Sequence, residues 1–144
     1  MAGAAIPLDE EAYDATIPRP MGRNSAGAGF MRAWLRYADV DRIYLWNLYN
    51  RAEADLEPLL QRLGPPCRPA TWIAAADRAG LGRPGAVHIP TPELQGQAWA
   101  RRALGGTHYS ITGVTHTIAE TYIMGQIAGL LIAPIEPWDA LVCT

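Results

Sequence analysis

Two stretches of this chain carry residue types that can do chemistry. The first is Met21-Gly22-Arg23-Asn24-Ser25-Ala26-Gly27-Ala28-Gly29-Phe30, a polar, glycine-bearing segment that runs into an amphipathic helix. Gly27 and Gly29 leave the backbone bare where that helix is expected to start. Free N–H groups and the positive end of the helix dipole can there meet an anion such as a phosphate. Arg23 adds a guanidinium fork that fits phosphate oxygens. The plainer role for the same glycines is a tight turn and close helix packing, and a bare G-x-G is a weak signal. The second stretch ends in His116. It follows Ser110-Ile111-Thr112-Gly113-Val114-Thr115, read as a strand, and precedes Thr117-Ile118-Ala119-Glu120, read as a helix start. An imidazole at a strand tip sits where open parallel sheets hold their ligands, and the Gly22–Gly29 loop and the turn after Ile89 are expected at the same edge. The plainer role for His116 is a hydrogen-bonded structural histidine. Thr117 and Glu120 have capping-box spacing, which makes Glu120 a cap rather than an acid.

Other polar residues have weaker claims. His88 lies within a strand and reads as core, whereas His108 follows two glycines in a turn and reads as solvated. Asp77 closes a strand and could meet a ligand hydroxyl or simply make a turn. Asp139 reads as a turn or loop residue. Ser25 lacks the G-x-S-x-G context of a nucleophile elbow. No spacing of histidines and carboxylates suggests a metal, so none is expected.

The elements that must position these groups alternate in type. Residues 1–20 are proline-rich, acidic and expected to be irregular. Helices are expected over 27–38, 52–63 and 94–104, the second with Leu56, Leu59, Leu60 and Leu63 on one face and a stop at Gly64-Pro65-Pro66. Strands are expected over 41–46, 71–76, 86–89 and 109–115, with a fifth opening at Trp138. The apolar run from Thr117 to Ala133 reads as a long helix buried between the sheet and something else. Strand–helix alternation with short connections predicts a single α/β domain over 1–144. Its expected form is a Rossmann-like, doubly wound, mainly parallel sheet flanked by helices. A chain that stops at a strand suggests the front part of something longer.

Composition narrows the classes. A chain of 144 residues with 49% hydrophobic and 18% charged content has enough apolar material for a real core. The net charge is −2 and every basic side chain is an arginine, scattered along the chain, so nothing points to nucleic acid. Cys67 and Cys143 form no C-x-x-C or Cys/His cluster and read as two ordinary thiols of a reduced, cytoplasmic compartment. The N-terminus has no basic region ahead of an apolar one, and the longest apolar stretch, Tyr122 to Ile135, is too short to span a bilayer.

Taken together, the segments Met21–Ala33, Ser110–Ile118 and Pro137–Thr144 resemble the N-terminal half of bacterial family 4 (group 1) glycosyltransferases. The resemblance runs from about residue 13 onward. These are GT-B enzymes with two Rossmann-like domains facing across a cleft. The resemblance implies that Gly27 and Gly29, with Arg23, form the loop that approaches the donor diphosphate, and that His116 is the catalytic-site histidine beside the donor sugar. It implies a nucleotide-sugar donor, a saccharide or lipid acceptor, no other cofactor, and peripheral contact with the inner face of the membrane. The chain departs from the family at Asn24 and Ala28, where Gln and Glu are more usual, and in its poorly defined first strand. It also lacks the C-terminal donor domain with its basic pair and paired glutamates. The expectation is therefore an acceptor-side domain, inactive until a missing domain or partner chain supplies the donor site. The alternative is a non-catalytic α/β binding module or degenerate remnant that self-associates through the exposed face of its final helix. A dinucleotide oxidoreductase fits less well, for want of a third glycine and a suitably placed acidic residue.

Overall fold

The computed structural model describes residues 3–143 apart from Asp14, Ile17 and Thr117; the side chains of Glu10 and Glu53 also lie outside the description. The chain is α/β and Rossmann-like, and divides into two compact units, Met1–Ala76 and Asp77–Thr144. Each unit is a β-α-β-α-β half with a three-stranded parallel sheet.

In the first unit the strands are β1 (Ala5–Pro7), β2 (Ile43–Asn47) and β3 (Ala70–Ala74), in the order β3-β2-β1. Ile6 stands opposite Leu45, and Leu45 opposite Trp72. Residues 1–20 are only partly irregular: among their described residues they hold β1 and a one-turn helix, α1 (Glu10–Tyr13). Burial explains the strand. Ala5 and Ile6 are wholly enclosed, and the Leu8 N–H continues the ladder to the Trp46 carbonyl at 2.9 Å. Helices α2 (Gly22–Tyr37) and α3 (Glu53–Leu63) complete the unit. The four leucines of α3 are all buried as their spacing predicts, each contributing about 1.5–3 kcal/mol of transfer free energy. Gly64 closes that helix at φ +124°. These leucines share one apolar core with Ile6, Met31, Leu35 and the ring of Tyr13.

The second unit holds β4 (Ala86–Ile89), β5 (Ser110–Thr115) and β6 (Ala140–Cys143) in that order, with Val87 opposite Ile111 and Val114 opposite Val142. A 3₁₀ turn over Ala79–Gly82 leads into β4. Helix α4 (Gln95–Ala103) ends at Gly105 and Gly106, both at positive φ, as the paired glycines suggest. The apolar run after β5 is the main departure. The helix there, α5 (Thr121–Gly129), has nine residues and buries none of them. It starts at Glu120, which is its N-cap residue rather than the third residue of a helix opened by Thr117; Thr117 lies outside the described residues. Gly125 and Gly129 weaken the helix, and Pro134 bars its extension. Among the described residues no helix is long and apolar enough to cross a membrane.

Candidate functional site

The carboxyl edge of the second half-sheet gathers the polar groups with chemical potential. Alternation along β5 buries Ile111, Gly113 and Thr115, and His116 is the first residue beyond the strand, half-buried, where the sequence puts it. The neighbouring strand β4 ends at Ile89, and the connection from Pro90 to Leu94 lies across β5 at Gly113. A Cβ on Gly113 would stand 2.6 Å from the Thr91 carbonyl oxygen and 2.5 Å from Leu94 Cδ2, so the close approach requires glycine. In that connection the Thr91 hydroxyl donates to Glu93 Oε2 at 3.2 Å and accepts from the Glu93 N–H at 3.4 Å. Helix α5 reaches that segment and the start of α4: the Tyr122 hydroxyl donates to Glu93 Oε1, and Gln95 Nε2 donates to Gln126 Oε1 at 3.0 Å. The Glu93 hydrogen bond holds the phenol proton of Tyr122 and raises its pKa. Sequence reading placed the turn after Ile89 at this edge but did not single out Glu93 in it, nor Gln95, Tyr122 and Gln126. The one available signal was a carboxylate four residues past a strand end, in a loop where such sheets bind ligands.

His88 is half-buried in β4, its Nδ1 2.9 Å from the Thr112 hydroxyl on β5. Burial, and then the neighbouring His116, pull its pKa below the usual imidazole range, so it stands neutral at pH 7. His108 is exposed in its turn, as expected. Asp77 is a turn residue: its carboxylate accepts from the Gly80 N–H at 2.9 Å and pairs with Arg83 at 3.0 Å.

The proposed diphosphate loop requires a correction. Helix α2 starts at Gly22, not Gly27, so Gly27 and Gly29 lie inside a helix. Their N–H groups there point along the helix to carbonyls four residues back. The early start has a local cause: Asn24, wholly buried, accepts from the Met21 N–H at 2.8 Å and donates to the Glu11 carbonyl at 2.6 Å. Two residues on a helix are about 200° apart, so Gly27 and Gly29 face different ways. Gly27 is buried against α1, where a Cβ would come within 2.1 Å of the Ala12 carbonyl oxygen, while Gly29 is exposed with nothing near its Cβ position. Arg23 is paired with Glu11 at 3.1 Å on the surface of the same unit. The plainer role, close helix packing, describes Gly27.

At the carboxyl edge of the first half-sheet, Asp9 accepts from the Glu11 N–H at 3.0 Å and from the Tyr49 hydroxyl at 3.2 Å. Asn47 and Arg51 exchange two hydrogen bonds of 2.9 Å that fix the turn after β2.

At the opposite, amino end of the second half-sheet lies a buried ion pair that serves the scaffold. Arg101 on α4 meets Asp139 in a fork, at 2.5 and 2.6 Å, with both side chains 1% exposed. The guanidinium also donates to the carbonyls of Tyr109 and Pro134, each at 3.0 Å. Asp139 also accepts from the Ile111 N–H at 2.7 Å and the Glu136 N–H at 2.8 Å. Burial pushes its carboxyl up, but these hydrogen bonds outweigh burial and leave it below the usual carboxylate range. Asp139 does sit in the turn before β6, as read, but it also ties α4, β5 and β6 together.

Among the described residues no three His, Cys, Asp or Glu side chains gather as a metal site requires. No family model, curated protein or solved structure matches the chain.

Proposed function

We propose that the chain is the acceptor-side domain of a retaining GT-B glycosyltransferase, which moves a sugar from a nucleotide-sugar to a saccharide or lipid acceptor. The observation that carries this reading is His116, first beyond β5 at the carboxyl edge of a Rossmann-like half, with Thr91 and Glu93 on the adjoining connection. An imidazole and a hydroxyl-bonded carboxylate at one edge of the sheet are groups that suit a sugar and its acceptor hydroxyl. The rate would come from orienting the two substrates and from stabilising the departing diphosphate. The contribution assigned to Gly27, Gly29 and Arg23 loses its loop geometry, so the reading leans on His116 and on the sequence resemblance.

Amide and imidazole NMR of the 144-residue chain tests it. Titration with UDP-glucose, GDP-mannose and neutral methyl glycosides is expected to give saturable shifts at His116, Gly113 and Gln95, lost in His116→Ala. The isolated chain is expected to transfer and hydrolyse nothing. If none of these probes moves His116, the proposal fails.

One observation favours a second reading, a self-associating binding module. Leu131 and Ile132 are 89% and 79% exposed, beside exposed Tyr122 and Met124 on α5. Sedimentation velocity separates the two: a concentration-dependent dimer that ignores every sugar probe is the module's signature.

A further inference from the structure

Helix α5 is apolar in sequence, yet buries no residue. Nine residues are too few for a helix to hold itself in water, and its two glycines weaken it further. Ile123 and Ile127 are only half-buried, and two polar ties hold the helix from its exposed side. Tyr122 donates to Glu93, and Gln126 accepts from Gln95. Gly129 lets the last turn lie against the Gln95 amide, where a Cβ would be 2.2 Å from its Oε1. Glu93 belongs to the short segment between β4 and α4 and Gln95 opens α4, and α5 itself follows His116 by five residues.

We propose that α5 is a latched strap: Tyr122 occupies an acceptor position on Glu93 that a ligand hydroxyl can take, and its release opens the carboxyl edge of the second half-sheet at His116. A carboxylate oxygen has two lone-pair directions. On Glu93 the hydroxyl of Thr91 takes one position on Oε2 and the phenol of Tyr122 one on Oε1. The phenol is the exchangeable one, because it sits on an exposed side chain of a helix with little else to hold it. Segments with few buried contacts open at low free energy, so losing one such bond shifts the whole element. The released position suits the alcohol of a neutral, hydroxyl-bearing ligand, which donates as the phenol does. An anion would be repelled by the carboxylate. The choice of a sugar as that ligand rests on the glycosyltransferase reading; the latch does not.

Hydrogen exchange of the full chain tests the latch, with diethylpyrocarbonate labelling of His116 beside it. Tyr122→Phe keeps the ring and removes the donor; Gln126→Ala removes the second tie from a half-exposed position. Each is expected to speed exchange in residues 121–129 roughly tenfold, the factor for one hydrogen bond, to leave β4, β5 and α4 unchanged, and to speed labelling of His116. Unchanged exchange in both variants overturns the latch, as does acceleration spread evenly over the unit, or labelling of His116 that stays slow. Methyl α-D-glucopyranoside and methyl α-D-mannopyranoside then probe the ligand. Either is expected to loosen α5 in the native chain and to bind several-fold tighter in Tyr122→Phe. A latch that loosens in Tyr122→Phe but ignores both glycosides overturns the hydroxyl ligand alone.

Discussion

Replacing Asp139 by Asn keeps the shape of the Arg101 partnership and removes its charge. In the native chain the carboxylate receives two guanidinium N–H bonds and the N–H groups of Ile111 and Glu136. Each carboxylate oxygen accepts from one guanidinium N–H and one backbone N–H, so in either orientation the amide NH₂ faces one of each, donor against donor. The Arg101 charge, 1% exposed, then has no counter-ion. Removing one member of a buried pair costs about 3–5 kcal/mol. Against a total stability of roughly 5–15 kcal/mol, that lowers Tm by about 10–15 °C. Urea denaturation at pH 7 checks the free energy. A loss under about 1 kcal/mol would refute the claim that this pair holds α4, β5 and β6 together. The pH dependence gives a second check. The folded carboxyl titrates below its unfolded value, so its contribution is complete above about pH 4 and disappears as pH falls through the folded value. The gap between the native chain and Asp139→Asn should therefore narrow on acidification below pH 4 and stay constant from pH 5 to 7. The reverse trend would mean that Asp139 is not held ionised by these partners.

Further expectations follow from the glycines and from His88. Gly27→Ala drives a Cβ into the Ala12 carbonyl and should cost about 1–3 kcal/mol, whereas Gly29→Ala, in open space, should gain about 0.5–1 kcal/mol; a destabilising Gly29→Ala in urea melts would restore the loop. Gly113→Ala should cost a similar 1–3 kcal/mol and shift the amide signals of Thr91 and Leu94, and unchanged signals would disprove their close approach. Half-buried His88 should titrate below pH 6.5 by NMR, and since the unfolded chain then binds more protons, stability should rise with pH up to about 6.5; a midpoint above 6.5 would contradict the burial argument.

Local pattern carried far in this chain where packing and pattern agreed. The leucine spacing of α3 and its glycine stop, the short β4 ended by proline, and the paired glycines after α4 are all visible in the residues, because each is settled by neighbours within one or two turns. The start of α2 was not, since glycine signals freedom and not conformation. Gly27 is in a helix because Asn24 bridges Met21 and Glu11, and because Ala12 of α1 packs against the bare Cα. The apolar run after β5 misled for a related reason: periodicity reports what a segment could bury, and α5 fully buries no residue. Its polar ties to Glu93 and Gln95 reach back about thirty residues, beyond any local window. The Arg101–Asp139 pair lay half in view. Leu94, Ala98 and Arg101 share one helical stripe, and all three are buried. An arginine on the inner stripe of a short amphipathic helix demands a buried carboxylate. Of the acidic residues after α4, Asp139 is the one that immediately precedes a strand pairing with β5. Topology could have nominated it. By the same reasoning, a residue's place is legible only when its strand is: the position of His116 was readable because β5 was, while Glu93 and Tyr122 became visible only through their contact with each other.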